Sequence, residues 1–284
     1  MQLTRLMTSI LIVVALAAPA LADCPKVSTD GQSIWLEEGA NKRLVFTDPN
    51  GVALPSLFGN RIAYTRERAD GTGAVLTEIV VLKDTGEMVR VITVPEETTV
   101  NGVLQLGWRD SKRLFIEGHV NPATALFVEF DAGTGVVSAE REGLLFTVSP
   151  NGNSVAQRQH VPLGAPEEFN SAVLEVDGQA VYPAADDAQH HRFVAAPVWA
   201  RDSHRIALVD EVAGATYVVT VSLDGKNVKT TSLQVSLAGS GPRVSWSGDN
   251  VIVRTDQDAL RIHPQTGKVE AALPGEGDPD GCSN

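Results

Sequence analysis

Helix is the first thing this sequence lacks. Past its first two dozen residues, no window keeps apolar residues on a 3.6-residue period for three turns, which excludes a helical architecture. Cysteine is nearly missing: Cys24 and Cys282 are the only two, whereas a redox or metal-binding pair would need close spacing. Catalytic signatures are absent, with no G-x-S-x-G elbow, no H-E-x-x-H and no glycine-rich phosphate loop. No stretch reads as an interdomain linker or a low-complexity tract, so one domain is expected. Basic residues are scarce, 23 Lys and Arg against 35 Asp and Glu. Such a surface repels phosphate backbones and anionic lipid, which disfavours nucleic acid and membrane surfaces as partners.

What is present begins at the N-terminus. Arg5, the apolar run Leu6–Ala18 and the small-x-small end Ala20-Leu21-Ala22 predict a signal peptide over residues 1–22. The run is too short to span a bilayer comfortably, and Asp23 directly before Cys24 argues against lipidation. An exported, periplasmic protein without membrane insertion is therefore expected. Loss of Arg5 leaves 22 basic against 35 acidic residues, a net charge of −13. The remaining chain, about 260 residues, can bury a sizeable core as the single domain 23–284.

Short β-branched runs broken by Gly, Asp, Asn and Pro fill that domain, which reads as all-β. Six turns carry glycine after an apolar strand: Gly51, Gly86, Gly135, Gly178, Gly225 and Gly267. Their spacings are 35, 49, 43, 47 and 42 residues, and tight hairpins need residues at positive φ. A second marker precedes each turn, in which an apolar residue ends one strand, a polar turn follows and an aliphatic strand starts. It runs through Val27–Leu36, Leu57–Tyr64, Gly107–Ile116, Thr147–Gln157, Val198–Leu208 and Ser245–Val253. Three of these carry Trp108, Trp199 and Trp246 at the end of the first strand.

The repeat resembles that of the TolB-like β-propellers, whose units carry a Trp-Ser-Pro-Asp-Gly turn before an Ile-Ala-Phe-like strand. Here Ser149-Pro150-Asn151-Gly152, Trp199-Ala200-Arg201-Asp202 and Trp246-Ser247 carry the likeness, over nearly all of Pro25–Leu273. The resemblance implies a six-bladed β-propeller of four-stranded antiparallel blades. The blades are expected at about 25–55, 56–95, 100–140, 144–184, 195–234 and 242–273, with a closing tail at 274–284. Stacked blades bury each other's faces, and the tryptophans are expected to fill the wedges between them. In an oxidising compartment Cys24 and Cys282 are expected to form a disulfide that replaces the missing sixth inter-blade connection. The tail is expected to bring Cys282 beside Cys24, directly before the inner strand of blade one.

Aligning the second strands places Glu67, His119, His160, Glu211 and Asp256 at one repeat position, just past the strand end on the face of the inter-blade loops. Imidazole with carboxylate suits zinc or a similar cation. Second strands of neighbouring blades, however, stand on the order of 10 Å apart given strand spacings of about 4.8 Å, so at most adjacent members could share one ion. The loop 183–194 adds Asp186, Asp187, His190 and His191 to this face, and long loops on a rigid scaffold commonly carry function. Three functional readings follow. The first is a non-catalytic, monomeric scaffold that binds an envelope protein or peptide at the loop face, without a cofactor. The second is a propeller that binds a divalent cation or small ligand through His119, His160 and the Asp186–His191 loop. The third is a lyase or lactonase-type propeller with a cation in its channel.

Overall fold

The structure, a computed structural model, describes residues 24–98, 101–121, 124–159, 172–184, 187–233, 237 and 241–276. Among these the chain is all-β, with single 3₁₀ turns at Glu96–Thr98 and Ala188–His190. Five hydrogen-bonded sheets form, and their ladders fall into consecutive antiparallel units. Unit one holds β1 (Lys26–Thr29), β2 (Ser33–Glu38) and β3 (Asn41–Thr47). Unit two holds β4 (Ala53–Phe58), β5 (Arg61–Ala69), β6 (Val75–Lys83) and β7 (Met88–Thr93). Unit three holds β8 (Val103–Trp108), β9 (Arg113–Asn121), β10 (Thr124–Asp131) and the first half of β11 (Val137–Val148). The second half of β11 opens unit four, which continues with β12 (Val155–Gln159), β13 (Val173–Val176) and β14 (Gln179–Tyr182).

Unit five pairs β15 (His191–Phe193) and β16 (Val198–Trp199) with the same strand, β17 (Arg205–Val212). Its inner edge is thus one strand interrupted at 194–197, followed by β18 (Ala215–Ser222) and β19 (Val228–Leu233). Unit six is β20 (Arg243–Ser247), β21 (Asn250–Arg254), β22 (Ala259–His263) and β23 (Lys268–Ala271). The expectation of four strands per unit therefore needs three qualifications. Units three and four share β11, the inner strand of unit five is split, and unit one shows three strands among the described residues.

Unit one also corrects the repeat alignment. Gly31, in the β1–β2 turn, lines one cavity with Arg66 and Glu67 at the end of β5 and with Val103 at the start of β8. At the other end of unit one, Arg43 Nη1 donates to the carbonyl of Asp84 in the β6–β7 turn at 2.7 Å. So β1 runs opposite to β4 and β8 and takes the second-strand direction. Val27–Leu36 is therefore a second-to-third strand hairpin, not the first-to-second strand marker expected of it. Gly51 likewise lies in the connector from β3 to β4. The turn of unit one that matches the other five is at Gly39, 47 residues before Gly86, which removes the anomalous spacing of 35. Residues 53–55 belong to unit two. The six marker glycines do all sit at positive φ, from 68° to 89°. Cys24, just before β1, lies on the face opposite to the one expected; Cys282 is outside the described residues.

Each unit buries its faces against its neighbours. Ile34 and Tyr64 join units one and two; Ala63 and Ile116 join two and three; Phe127 and Phe146 join three and four. Leu174 and Leu208 join four and five, and Val209 and Val253 join five and six. A central strand such as β17 is apolar on both sides for this reason, with Ile206 and Leu208 facing one neighbour and Ala207 and Val209 the other. The tryptophans occupy these wedges as expected. They also latch them, each indole donating to a backbone carbonyl in the preceding inner strand. Trp108 Nε1 reaches Ser56 at 3.4 Å, Trp199 reaches Thr147 at 3.1 Å and Trp246 reaches Val198 at 2.9 Å.

Candidate functional site

The first strand of units two to six runs away from the face that carries the connectors 48–52, 94–102 and 183–197. The opposite face carries the first-to-second strand turns, and these bond to one another. Arg109, buried against Glu129 at 2.6 Å, donates through Nε to Gly152 O at 2.9 Å and through Nη2 to Asn153 O at 2.7 Å. Gly152 has φ +71°, and a Cβ there would stand 2.0 Å from the Arg109 carbonyl oxygen, so the Asn-Gly of the turn is a steric requirement. Asn151 N donates to Ser203 Oγ at 3.1 Å, and Arg205 pairs with Asp249 at 2.8 Å while lying over the Trp246 ring. Units three to six are thereby joined along the turn face. The connector face is where space remains.

A cavity of about 660 Å³ opens there between units one, two and three. Its walls are Gly31, the connector 50–52, the start of β4, the end of β5, Thr77, Gly102 and Val103. Two local features shape it. Leu54 and Pro55 both stand opposite Tyr64, a bulge in β4 with Leu54 at φ +49°, a conformation costly for a branched side chain. Pro55 has no N–H to give the ladder, which suits it to this irregular place. The alternation of β5 then sends Tyr64 and Arg66 toward unit one and Thr65 and Glu67 toward unit three.

Arg66 is fully engaged. It holds Asp48 at 2.7 Å and Glu78 at 2.8 Å, Arg68 takes the other oxygen of Glu78 at 2.8 Å, and Tyr64 donates to Asp48 at 2.6 Å. Burial alone would raise the Asp48 carboxyl, but the bonds from Tyr64 and Asn50 N–H and the Arg66 charge hold it below its ordinary value. Glu78 is likewise held down against burial by Arg68 and Arg66. Burial, then Asp48, push the Tyr64 phenol well above its usual range. Glu67, by contrast, is exposed, and no hydrogen bond or ion pair among the described residues engages its carboxylate.

Glu67, His119, Glu211 and Asp256 do occupy one register. Each lies five residues beyond the second-strand residue Ile62, Leu114, Ile206 or Val251. Their positions differ from the expectation in detail, because β5, β9 and β17 run on through Glu67, His119 and Glu211; only Asp256 lies past its strand. They are not brought together. Glu211 pairs with Arg192 at 2.7 Å, Asp256 is exposed in the β21–β22 turn, and among the described residues no three His, Cys, Asp or Glu side chains are placed to hold a metal. His160 and Asp186 lie outside the described residues.

The loop histidines separate. His190 is exposed, whereas His191 is buried with Nδ1 2.5 Å from Asp210, whose side chain is 0% exposed. Tyr182 donates to the same Asp210 oxygen at 2.9 Å and Arg192 N donates to the other at 3.1 Å. Asp187 stands 3.7 Å from His191 Nε2. Burial, then the Asp210 charge, raise the Tyr182 phenol far above its ordinary value. This cluster ties the connector 183–197 to unit five. His191 and Asp187 were among the expected residues; Asp210 and Tyr182, like Asp48, Arg66 and Glu78, escaped the sequence-based expectation, although a signal was there. Arg66, Glu78 and Asp210 continue the inward phase of Tyr64, Val80 and Leu208, so each is a charge on a buried face.

No family model matches the chain, and no curated protein matches it. Solved structures do. The β-propeller domain of the Trilobed protease from Pyrococcus furiosus is similar with a TM-score of 0.52 and 15% identity, over 87% of this chain and 79% of that one. An acylaminoacyl peptidase in complex with Z-Gly-Gly-Phe-chloromethyl ketone gives 0.54 and 14%, over 86% of this chain and 41% of the peptidase. TolB from Acinetobacter baumannii gives 0.43 and 15%, over 75% of this chain and 52% of TolB. The chain spans about half of the TolB chain and two fifths of the peptidase. At these identities the likeness shows the fold, a β-propeller.

Proposed function

We propose that this is an exported, periplasmic, six-bladed propeller that binds an envelope protein or peptide at its connector face and performs no chemistry. One observation carries the reading: the turn face is joined by unit-to-unit hydrogen bonds, and a cavity of about 660 Å³ opens opposite to it. Long loops held on a rigid scaffold commonly carry the binding function, and this cavity lies among such connectors. The ring is completed by the tail. The inner-strand place of unit one is filled by no described residue, and Glu276 is held on unit six by Arg254 and Arg261. A disulfide between Cys24 and Cys282 is the proposed closure. Mild crosslinking in the envelope followed by recovery of the chain tests the function. A reproducible partner lost in Glu67→Arg but kept in Asp249→Ala, on the turn face, is the expected result. Recovery of none, or equal loss in both, overturns the proposal.

A further inference from the structure

The connector-face cavity has a chemistry of its own, and the inference drawn from it rests on the binding reading above. Its walls are mixed. Val52, Ala53, Leu54 and Val103 give it apolar surface, and Leu104, beside Val103, is 51% exposed. The cation at its edge, Arg66, is neutralised by Asp48 and Glu78 at 2.7 and 2.8 Å and has no charge left to offer an anion. The carboxylate of Glu67 is unengaged among the described residues and stands across β5 and β6 from Thr77. A full negative charge against apolar walls, with the neighbouring positive charge already matched, selects a cation carried on an apolar stem.

We propose that this cavity takes an extended peptide segment presenting a lysine side chain or a free amino terminus, with its ammonium group on Glu67 and its apolar neighbours against Leu54 and Val103. The bulge at Leu54–Pro55 lies at the cavity wall, which Leu54 lines. It places two inner-strand residues opposite one, and a bulged strand bends locally at that point. A volume of about 660 Å³ accommodates several residues of extended chain. An acidic or neutral segment would leave Glu67 desolvated without a partner, so discrimination by charge is part of the proposal.

The test uses the full chain and a fluorescein-labelled octapeptide of Lys, Val, Leu and Gly, its lysine-acetylated counterpart and a counterpart with Glu for Lys, compared by anisotropy at two ionic strengths. The expected result is binding of the lysine peptide that weakens about tenfold in Glu67→Gln, about tenfold on acetylation, and further with salt. Glu211→Gln, at the equivalent register in unit five, should leave it unchanged. Binding indifferent to acetylation or to Glu67→Gln overturns the cationic preference while leaving a connector-face binding role standing. No binding of any of the three peptides overturns this inference outright, and the crosslinking experiment alone then decides the broader role.

Discussion

Replacing each wedge tryptophan by phenylalanine separates the latch from the filling. The substitution keeps most of the aromatic area but removes the indole N–H and leaves a carbonyl oxygen of the preceding unit without its donor. A net hydrogen bond contributes about 0.5–1.5 kcal/mol, and an orphaned buried acceptor costs about 1–3 kcal/mol. Trp199 is 6% exposed and bonds Thr147 at 3.1 Å, so water cannot replace it and Trp199→Phe should cost about 2 kcal/mol. Trp246 bonds at 2.9 Å but is only partly buried under Arg205; water reaches the freed Val198 carbonyl, and a cost of about 1 kcal/mol is expected. Trp108 is 3% exposed, yet its bond is 3.4 Å long, near the limit at which a hydrogen bond counts, so the latch component should be about 0.5 kcal/mol. Urea unfolding read by far-ultraviolet circular dichroism gives the three values, with unchanged m-values as the control. For a domain of this size 2 kcal/mol corresponds to a fall in Tm of about 4–8 °C. Equal costs at all three sites, or a cost below about 0.5 kcal/mol for Trp199→Phe, would show that the tryptophans act by area alone.

Asp210→Asn should destabilise by about 2–4 kcal/mol, because His191 and Tyr182 lose the buried charge that both address; thermal unfolding measures it, and alkaline spectrophotometric titration should show one tyrosine ionising earlier. Glu117 is buried with no cation paired to it among the described residues and accepts the backbone N–H groups of Leu145 and Phe146, and burial raises its carboxyl. Its folded state therefore holds the proton more tightly than the unfolded chain, so its contribution to stability falls as pH rises from the unfolded value through the folded one; Glu117→Gln should abolish that part of the pH dependence, and an unchanged profile would refute it. Cys24→Ser should cost up to about 5 kcal/mol if the bridge to Cys282 closes a loop of nearly the whole chain, with non-reduced peptide mapping as the check; two free thiols would remove the closing role from the tail.

Five of the six marker glycines were legible as hairpin turns because a tight turn imposes positive φ wherever it occurs, whatever surrounds it. The tryptophan wedges were legible for a similar reason, since a large ring at a strand end has few other places to go. Unit one was misread because direction leaves no trace in a sequence: Val27–Leu36 fits a first-to-second strand hairpin as well as a second-to-third one. Only its contacts with Arg66 and Asp84 distinguish them. At the site, the shared register of Glu67, His119, Glu211 and Asp256 followed from counting along equivalent strands. What differs among them did not. Glu211 is neutralised by Arg192, a residue in another strand, while Glu67 is left open beside a bulge in β4. Pro55 marks that strand as one with an incomplete ladder, but a proline alone does not say which way the strand bends. The buried charges of Arg66, Glu78 and Asp210 were visible as phase, but their partners come from neighbouring strands and, for Asp48, from a connector, whose placement is set by the whole assembly.

The direction of β1 bears on how such a chain is made. Five of its inter-unit cores join neighbours in sequence and can form one after another as the chain emerges. Unit one has the second-strand position at its inner edge, and in the proposed ring the strand it lacks comes from a part of the chain distant in sequence. Assembly order and synthesis order then part company at one seam. In the proposed ring the earlier units cannot close on one another until that distant strand arrives.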